Sequence, residues 1–224
     1  MTETTPHPVV SISISHMGAS ALLVQSEGPL LLAVQRRYWA YDKACSQLDG
    51  VKETVLGMHS LLVCLKPDHD PLAMKATLAA LWNETGPEDI AGRLVEIPVV
   101  YGGDTGVDLT ELAARCGLSV DEAVALHSGP DYIAFALGSQ PGFAYLGGLD
   151  PKLATPRRAQ PRLSIEQGSV VIGGAQAGVI SKTSPSGWHV IGKTDLAFFD
   201  ENAEAPSLIM PGDSIRFIVQ DIKA

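Results

Sequence analysis

The sequence predicts an α+β protein in which an α/β domain, residues 1–98, precedes a domain of short antiparallel strands, residues 99–224. Three features lead to this prediction. As far as Tyr101, strand-like and helical patterns alternate. After Gly102 and Gly103, helix-capping and turn residues become frequent. From Tyr132 onward, short strand-like runs are separated by glycine and proline, which is typical of a small closed or sandwiched sheet.

Hydrophobic periodicity predicts the elements of the first domain. A first strand continues into, or pairs with, a second run after a turn at Gly18, and Pro29 opens a helix that ends before Gly50. The predicted segments are strands at Val9–Ile14 and Ala21–Val24, a helix at Pro29–Leu48, strands at Val51–Gly57 and Ser60–Lys66, a helix at Pro71–Glu84 and a strand at Leu94–Tyr101. The resulting order β, α, β, β, α, β is that of a ferredoxin-like split βαβ unit.

The second domain opens with two predicted short helices. Asp108 with Glu111, and Ser119 with Glu122, have the spacing of capping boxes, and each pair precedes an apolar helical turn. The strand-like runs that follow are Tyr132–Leu137, Leu163–Ile165, Ser169–Ile172, Gly178–Ile180, Trp188–Ile191 and Ser214–Val219. We therefore expect an antiparallel sheet that closes on itself or packs as a sandwich.

Composition excludes several classes of protein. The chain has 224 residues, is 46% hydrophobic and 18% charged, and carries a formal net charge of −9, which disfavours nucleic acid as a partner. Its apolar runs are far shorter than the roughly 20 residues that span a bilayer, and residues 1–10 lack a secretory pattern. We expect no membrane anchor and a cytoplasmic location.

The 3 cysteines are widely spaced, which predicts reduced thiols. The histidines show no ligand spacing, so no metal is expected.

Positive charge is concentrated in one glycine- and proline-rich stretch. Between Pro151 and Lys193 a single acid, Glu166, is outnumbered by the basic residues Lys152, Arg157, Arg158, Arg162, Lys182 and Lys193, for a local net charge of +5. In an acidic protein such a stretch indicates either a site for a small anion or a solvated loop face. The sequence has no P-loop, GxSxG or HExxH motif, so the signatures of an autonomous enzyme are missing.

A series of motifs in order carries a resemblance to a known family. The motifs are His127-Ser128-Gly129, Pro141-Gly142-Phe143-Ala144-Tyr145-Leu146-Gly147-Gly148-Leu149, Pro156-Arg157-Arg158, Pro161-Arg162, Gly168-Ser169-Val170 and Ser184-Pro185-Ser186-Gly187-Trp188, with Ala21-Leu22-Leu23-Val24 and Pro98-Val99-Val100-Tyr101-Gly102-Gly103 upstream. Together they resemble the allophanate hydrolase subunit 1 family, which includes the Kip-type sporulation kinase inhibitor and the B subunit of bacterial 5-oxoprolinase. The resemblance covers most of the chain.

The resemblance implies a cyclophilin-like β-barrel for the second domain and a chain that does not act alone. It implies a homologous second subunit (the C subunit, Kip-antagonist-like) and an A subunit as partners, with ATP and Mg in the complex and no cofactor bound by this chain alone. An orphan docking face can also drive self-association. The leading hypothesis is a component of an ATP-dependent 5-oxoprolinase that opens the lactam 5-oxo-L-proline to L-glutamate. The alternative is a regulatory protein that binds a sensor histidine kinase and blocks its autophosphorylation.

The candidate chemical residues lie in or near the matched motifs. Arg157, Arg158 and Arg162 can grip a carboxylate or phosphate with their guanidinium groups, or can pair with the acidic upstream segment. His127 follows a predicted helix and is a candidate acid or base, or a cap of that helix. Gln176 offers a donor and an acceptor to an amide-bearing ligand, or makes a structural hydrogen bond.

A second group of candidates gives the pocket its shape. Phe143, Tyr145 and Trp188 can stack against a planar amide or lactam, or can pack a core. Pro141-Gly142 predicts a tight turn, and Gly187 precedes Trp188 in the last motif.

The sequence departs from the family's usual pattern at three points. Ser139-Gln140 precedes Pro141 where an aromatic residue more often follows the glycine, Ser186 replaces a usual glycine, and Lys193 stands where arginine is frequent. The first departure bears on the shape of the pocket, and the last weakens a bidentate contact to an anion.

Overall fold

The computed structural model describes residues 10–90 and 92–223. The chain divides after Ile90 into two compact units, each with its own hydrophobic core. The structure is thus a mixed α/β protein, as predicted, with a closed seven-stranded β-barrel in the second unit. Within the described residues, no helix is long and apolar enough to span a bilayer.

The first unit is a four-stranded antiparallel sheet covered by two helices. Its elements are β1 (Ile12–His16), β2 (Ala21–Ser26), α1 (Leu32–Cys45), β3 (Val51–Leu56), β4 (Ser60–Leu65) and α2 (Pro71–Glu84). The sheet order is β1-β2-β4-β3. Alternation along β4, where Leu61, Val63 and Leu65 are buried, turns one face of the sheet toward the helices. Asp70 caps α2 by accepting a hydrogen bond from the Leu72 N–H.

The order of elements in this unit differs from the predicted one. The first two runs form a hairpin, β1 and β2, rather than one strand. The segment Leu94–Tyr101, expected to complete this sheet, lies instead in the barrel. Strand β1 occupies the edge beside β2. Val9, where the first strand was predicted to begin, lies outside the described residues.

The second unit contains the remaining elements. They are β5 (Leu94–Gly102), α3 (Leu109–Arg115), α4 (Val120–Ser128), β6 (Tyr132–Leu137), β7 (Ala144–Gly147), β8 (Arg162–Ile165), β9 (Ser169–Gly173), β10 (Gln176–Val179), β11 (Ser184–Ser186), β12 (His189–Lys193) and β13 (Ser214–Lys223). The barrel runs β10-β7-β6-β13-β5-β12-β9, and β8 with β11 forms a separate ribbon. Strands β7 and β11 are short and were missed by the sequence prediction.

One strand pair differs from the predicted antiparallel arrangement of the barrel. Strands β5 and β13 are parallel, from Ser214 opposite Leu94 to Lys223 opposite Gly102. They are the first and last strands of the unit, so the rest of the unit forms the long crossover that a parallel pair requires. The other pairs in the barrel are antiparallel, and the barrel fits the implied cyclophilin-like fold.

Helix α3 packs against strands β5 and β12, and helix α4 packs against β13. The capping box predicted at Ser119 and Glu122 is confirmed, because each residue bonds the other's backbone N–H. The capping box predicted at Asp108 is wrong, since the Asp108 side chain makes no cap bond to α3. Its carboxylate has another set of partners, described below.

Candidate functional site

A small recess on the barrel unit brings together several of the predicted residues. Its volume is about 120 Å³, and it is lined by Ser139, Gln140, Phe143, Tyr145, Arg157, Ile180, Pro185, Ser186 and Trp188. This is much smaller than a drug-sized pocket of a few hundred Å³. We call it the Arg157 recess.

Three aromatic residues line part of the Arg157 recess. Phe143 lies edge to face with Tyr145 at 5.1 Å and with Trp188 at 5.7 Å between ring centroids. The guanidinium carbon of Arg157 lies 5.5 Å from the Trp188 centroid, within the range of a cation–π contact. Phe143 and Trp188 are buried among Ile165, Val171, Ile180 and Val190. The predicted stacking residues therefore meet, and one of them, Trp188, lies beside a positive charge.

A tight loop from Gly138 to Phe143 forms one rim of the recess. The Gly138 N–H donates to the Phe143 carbonyl at 3.0 Å, and the Phe143 N–H donates to the Gln140 carbonyl at 3.1 Å. Gly142 has φ +76°, as the predicted turn requires. Ser139 also has a positive φ of 58°, which is uncommon for a residue other than glycine.

The side chain of Gln140, which lines the recess, has one acceptor that is unused among the described residues. Its amide nitrogen donates to the Ser184 hydroxyl. Its amide oxygen is buried and, among the described residues, has no hydrogen-bond partner. Such an acceptor is costly to leave unpaired. The sequence prediction noted Gln140 only as a departure from the family pattern and did not include it in the site.

The carboxylate of Asp108 organises the arginines next to the recess. One oxygen accepts from Arg158 at 2.9 Å and from Arg162 at 2.8 Å. The other accepts from Arg162 at 2.6 Å and from the Val190 N–H at 2.8 Å. The Asp108 side chain is only 3% exposed. Two of the three predicted anion-binding arginines thus form ion pairs with an upstream acid, which is the alternative that the sequence left open.

The charge state of Asp108 follows from these contacts. Burial would raise the pKa of this carboxyl, but hydrogen bonds from Arg162 and the Val190 N–H, with the charges of Arg162 and Arg158, outweigh it and hold the pKa below its ordinary value. Asp108 is therefore an anion that neutralises much of the local positive charge. Among the described residues, Arg157 has no carboxylate partner within ion-pair distance, which distinguishes it from Arg158 and Arg162.

The same contacts fix the segment that carries Arg157. The Arg158 N–H donates to the Gly187 carbonyl at 2.7 Å. The His189 Nε2 is bonded to the Pro156 carbonyl at 2.9 Å. Together with the Asp108 ion pairs, these bonds hold the segment 156–158 against 187–190, and so place Arg157 beside Trp188.

His127 lies inside the barrel unit rather than at the recess. It is 1% exposed, and its ring lies 4.4 Å from that of Phe217 between centroids. Its Nδ1 is hydrogen-bonded to the Tyr101 hydroxyl at 2.8 Å. Burial lowers the pKa of His127 to about 3, so the imidazole is neutral. The acid or base role of His127 stays a prediction, and these surroundings are those of a structural residue.

The remaining predicted residues lie around the recess or apart from it. Gln176 is on β10, opposite Gly173 of β9, and does not line the recess. Pro141 lines a different cavity, of about 430 Å³, beside Lys182. Lys193 is paired with Glu166. Their binding roles stay predictions. In the described ranges, 10–90 and 92–223, no three potential metal ligands form a cluster.

Fold and site together define a class: an α/β unit followed by a closed barrel that bears a small recess lined by a cation, an amide side chain and three aromatic rings. The chain belongs to the carboxyltransferase domain family, subdomain C and D, whose model matches residues 12–209. The family membership inferred from the motifs is confirmed.

Two curated relatives and a solved structure show the likeness in detail. The chain is 44% identical over 206 residues to the 5-oxoprolinase B subunit of Escherichia coli O157:H7, covering 91% of this chain and 94% of the relative. It is 40% identical over 214 residues to the 5-oxoprolinase B subunit of Haemophilus influenzae, covering 95% and 100%. The crystal structure of TTHA0988 matches 89% of this chain with a TM-score of 0.75 and 32% identity. This chain spans only 39% of that one.

Proposed function

We propose that this chain is the B subunit of an ATP-dependent 5-oxoprolinase, which opens 5-oxo-L-proline to L-glutamate, and that it is inactive alone. The observation that carries the proposal is 44% identity to a protein named as the B subunit of 5-oxoprolinase, over 91% of this chain and 94% of that relative. The match is nearly end to end, so both units of the chain are included in it.

The chemistry of the reaction suits a protein component with a polar recess and no nucleotide motif. A lactam is a poor electrophile, and phosphorylation of its oxygen by ATP makes the ring carbon open to attack by water. Fixed positive charge stabilises the anionic groups that this reaction brings together. In this proposal ATP, with Mg, binds mainly to another component of the complex.

The proposed complex contains a homologous second component, the C subunit, and an A subunit. The relatives are named as B subunits, which supports a multi-subunit enzyme. The length of TTHA0988 supports a second component, because this chain accounts for only 39% of it. A cytoplasmic location for the complex stays a prediction.

The arginines have separate roles in this proposal. Arg157 is the anion-binding residue, because its guanidinium lies at the recess and is not among those held by Asp108. Arg158 and Arg162 position the segment through Asp108. The histidine-kinase inhibitor stays an alternative prediction, and the matched relatives named above give it no support.

The test is glutamate release from 5-oxoproline and ATP by the reconstituted subunits, with this chain present or omitted. We expect release to depend strictly on this chain. If assembled partner subunits release glutamate at the same rate without it, the proposal is wrong, and capture of histidine kinases becomes the next experiment.

A further inference from the structure

The Arg157 recess presents two complementary groups to one small occupant. The Arg157 guanidinium supplies a positive charge and up to five N–H donors. The buried oxygen of Gln140 supplies a neutral acceptor that has no partner among the described residues. Both residues line the same recess of about 120 Å³. A ligand that satisfies both must carry an anion and an N–H donor close together.

The size of the recess adds a further condition. Phe143, Tyr145 and Trp188 line it with rings set edge to face, and its volume of about 120 Å³ admits only a small molecule. A cyclic amide with a carboxylate on the carbon next to the nitrogen meets all of these conditions. In 5-oxoproline the N–H and the carbon that carries the carboxylate are neighbouring ring atoms, so the donor and the anion lie on the same edge of the ring.

We propose that the Arg157 recess binds the lactam substrate, with Gln140 accepting the ring N–H and Arg157 pairing with the carboxylate. The proposal rests on the function proposed above and deepens it, because it assigns two specificity-determining residues. Gln140 distinguishes a lactam from a ring that lacks the N–H donor. Arg157 distinguishes a carboxylate-bearing lactam from an unsubstituted one.

The local structure fixes the Gln140 side chain and the backbone next to Arg157. Ser184 fixes the amide nitrogen of Gln140, so the oxygen end is the one left for a ligand. The Gly187 carbonyl and Asp108 hold Arg158, next to Arg157 in the chain. Because the Gln140 side chain is already fixed, it loses little conformational entropy when a ligand binds, which favours affinity.

The experiment uses the reconstituted complex at saturating ATP and compares Arg157→Met and Gln140→Leu with the unmodified chain. We expect Arg157→Met to raise the KM for 5-oxoproline about 10- to 100-fold, the effect of losing a charge-assisted hydrogen bond, and Gln140→Leu to raise it about tenfold. The KM for ATP should stay within about twofold. Arg115→Met and Gln47→Leu are the matched controls, since Arg115 is an exposed residue paired with Glu111 and Gln47 lies in the first unit.

A second readout separates recognition from general damage. 2-Pyrrolidinone is the same lactam ring without the carboxylate, and we expect it to compete with 5-oxoproline for the recess. Its Ki should be unchanged in Arg157→Met and raised in Gln140→Leu. Damage to the fold would instead weaken the binding of both compounds in both variants. Arg157→Lys, which keeps the charge but not the planar fork, should recover part of the loss.

The outcomes are distinguishable from failure of the proposed function. If the complex is active and both variants keep the wild-type KM for 5-oxoproline, the recess is not the substrate site, while the function proposed for the chain stands. If the fully assembled complex shows no glutamate release that depends on this chain, the proposed function is wrong and this inference is overturned with it.

Discussion

Gly142 stands at a backbone position that glycine alone fits. Its φ is +76°, and a Cβ there would lie 2.4 Å from the Phe198 carbonyl oxygen, a backbone atom that cannot easily move. We expect Gly142→Ala to lower the free energy of unfolding by about 2 kcal/mol or more, because a strained φ is combined with a steric clash. Chemical denaturation measures this change.

Gly174→Ala is the matched control for that variant. Gly174 also has a positive φ, +65°, but a Cβ there meets nothing within 4 Å. It should cost only the backbone strain, about 1 kcal/mol. Equal losses in the two variants would contradict the clash with Phe198. The glycine and its turn were predicted from Pro141-Gly142, whereas the Phe198 contact joins residues far apart in the chain and has no local signal.

His127 should make the protein sensitive to mild acid. Its pKa is about 3 in the folded protein and about 6.5 when unfolded, so the unfolded state binds the proton first as the pH falls. The contribution of His127 is fully present above pH 6.5 and is lost progressively toward pH 3. At pH 5 the stability lost is about 2 kcal/mol, because pH 5 lies about 1.5 units below the unfolded pKa and each unit costs about 1.4 kcal/mol.

The measurement is the free energy of unfolding at pH 7 and pH 5 for the unmodified chain and for His127→Gln. We expect the difference between the two pH values to shrink by about 2 kcal/mol in the variant. His16→Gln, at an exposed position on β1, should leave the difference unchanged. An identical pH dependence in all three proteins would show that His127 does not remain neutral in the fold.

The His127 case shows what residue type alone indicates. An imidazole beside Ser128 and Gly129 fits either chemistry or a helix cap in sequence terms. Its partner, Tyr101, lies 26 positions away on β5. Only the folded barrel brings the two together and removes water, so the lowered pKa could not be predicted.

At the scale of elements, Asp108 holds the segment after Pro156 to β12. Its buried carboxylate accepts from two arginines and from the Val190 N–H. Asp108→Asn removes the negative charge and leaves guanidinium groups facing an amide. We expect a loss of about 3 kcal/mol of stability, the usual cost of breaking a buried ion pair by removing one partner.

Glu111→Gln provides the comparison for Asp108→Asn. The Glu111–Arg115 pair lies on one exposed face of α3, with side chains 59% and 57% exposed. Its loss should cost no more than about 0.5 kcal/mol. Both variants are measured by denaturation at pH 7. A similarly small effect for Asp108→Asn would mean that backbone bonds alone hold the segment.

Local patterns were reliable for some elements and misleading for others. Helix α2 has the predicted bounds, and the Ser119 capping box is present, because both depend on neighbouring residues. Asp108 has the same sequence pattern as Ser119, but its carboxylate is used by arginines 50 and 54 positions away. A capping motif cannot reveal such a competing partner. The sequence predicted Arg157 and the aromatic residues of the recess but missed Gln140. The partner of Gln140, Ser184, is also distant in the chain, so no local motif reveals it.

At the scale of the whole chain, the order of an α/β unit and then a barrel was predictable and the assignment of β5 was not. The run Leu94–Gly102 alternates as a strand would in either sheet. Its parallel partner, β13, is the last strand of the chain. Hydrophobic periodicity does not reveal which strands pair over that distance. The order of the two units was predictable because the composition changes after Gly103.

The assignment of β5 to the barrel predicts how the chain can be divided. A fragment of residues 91–224 retains all of β5, while one of residues 99–224 lacks Leu94–Pro98. Those five residues pair with Ser214–Ile218 of β13, and the buried Ile97 contributes to the barrel core. Without them the barrel is open between β13 and β5 over half of β5, with unpaired backbone groups and a core cavity. We expect 91–224 to unfold cooperatively and to keep its β-sheet circular dichroism, and 99–224 to aggregate or to bind a hydrophobic dye. Equal stability of the two fragments would show that the barrel does not need Leu94–Pro98, as the predicted domain boundary at Pro98 implied.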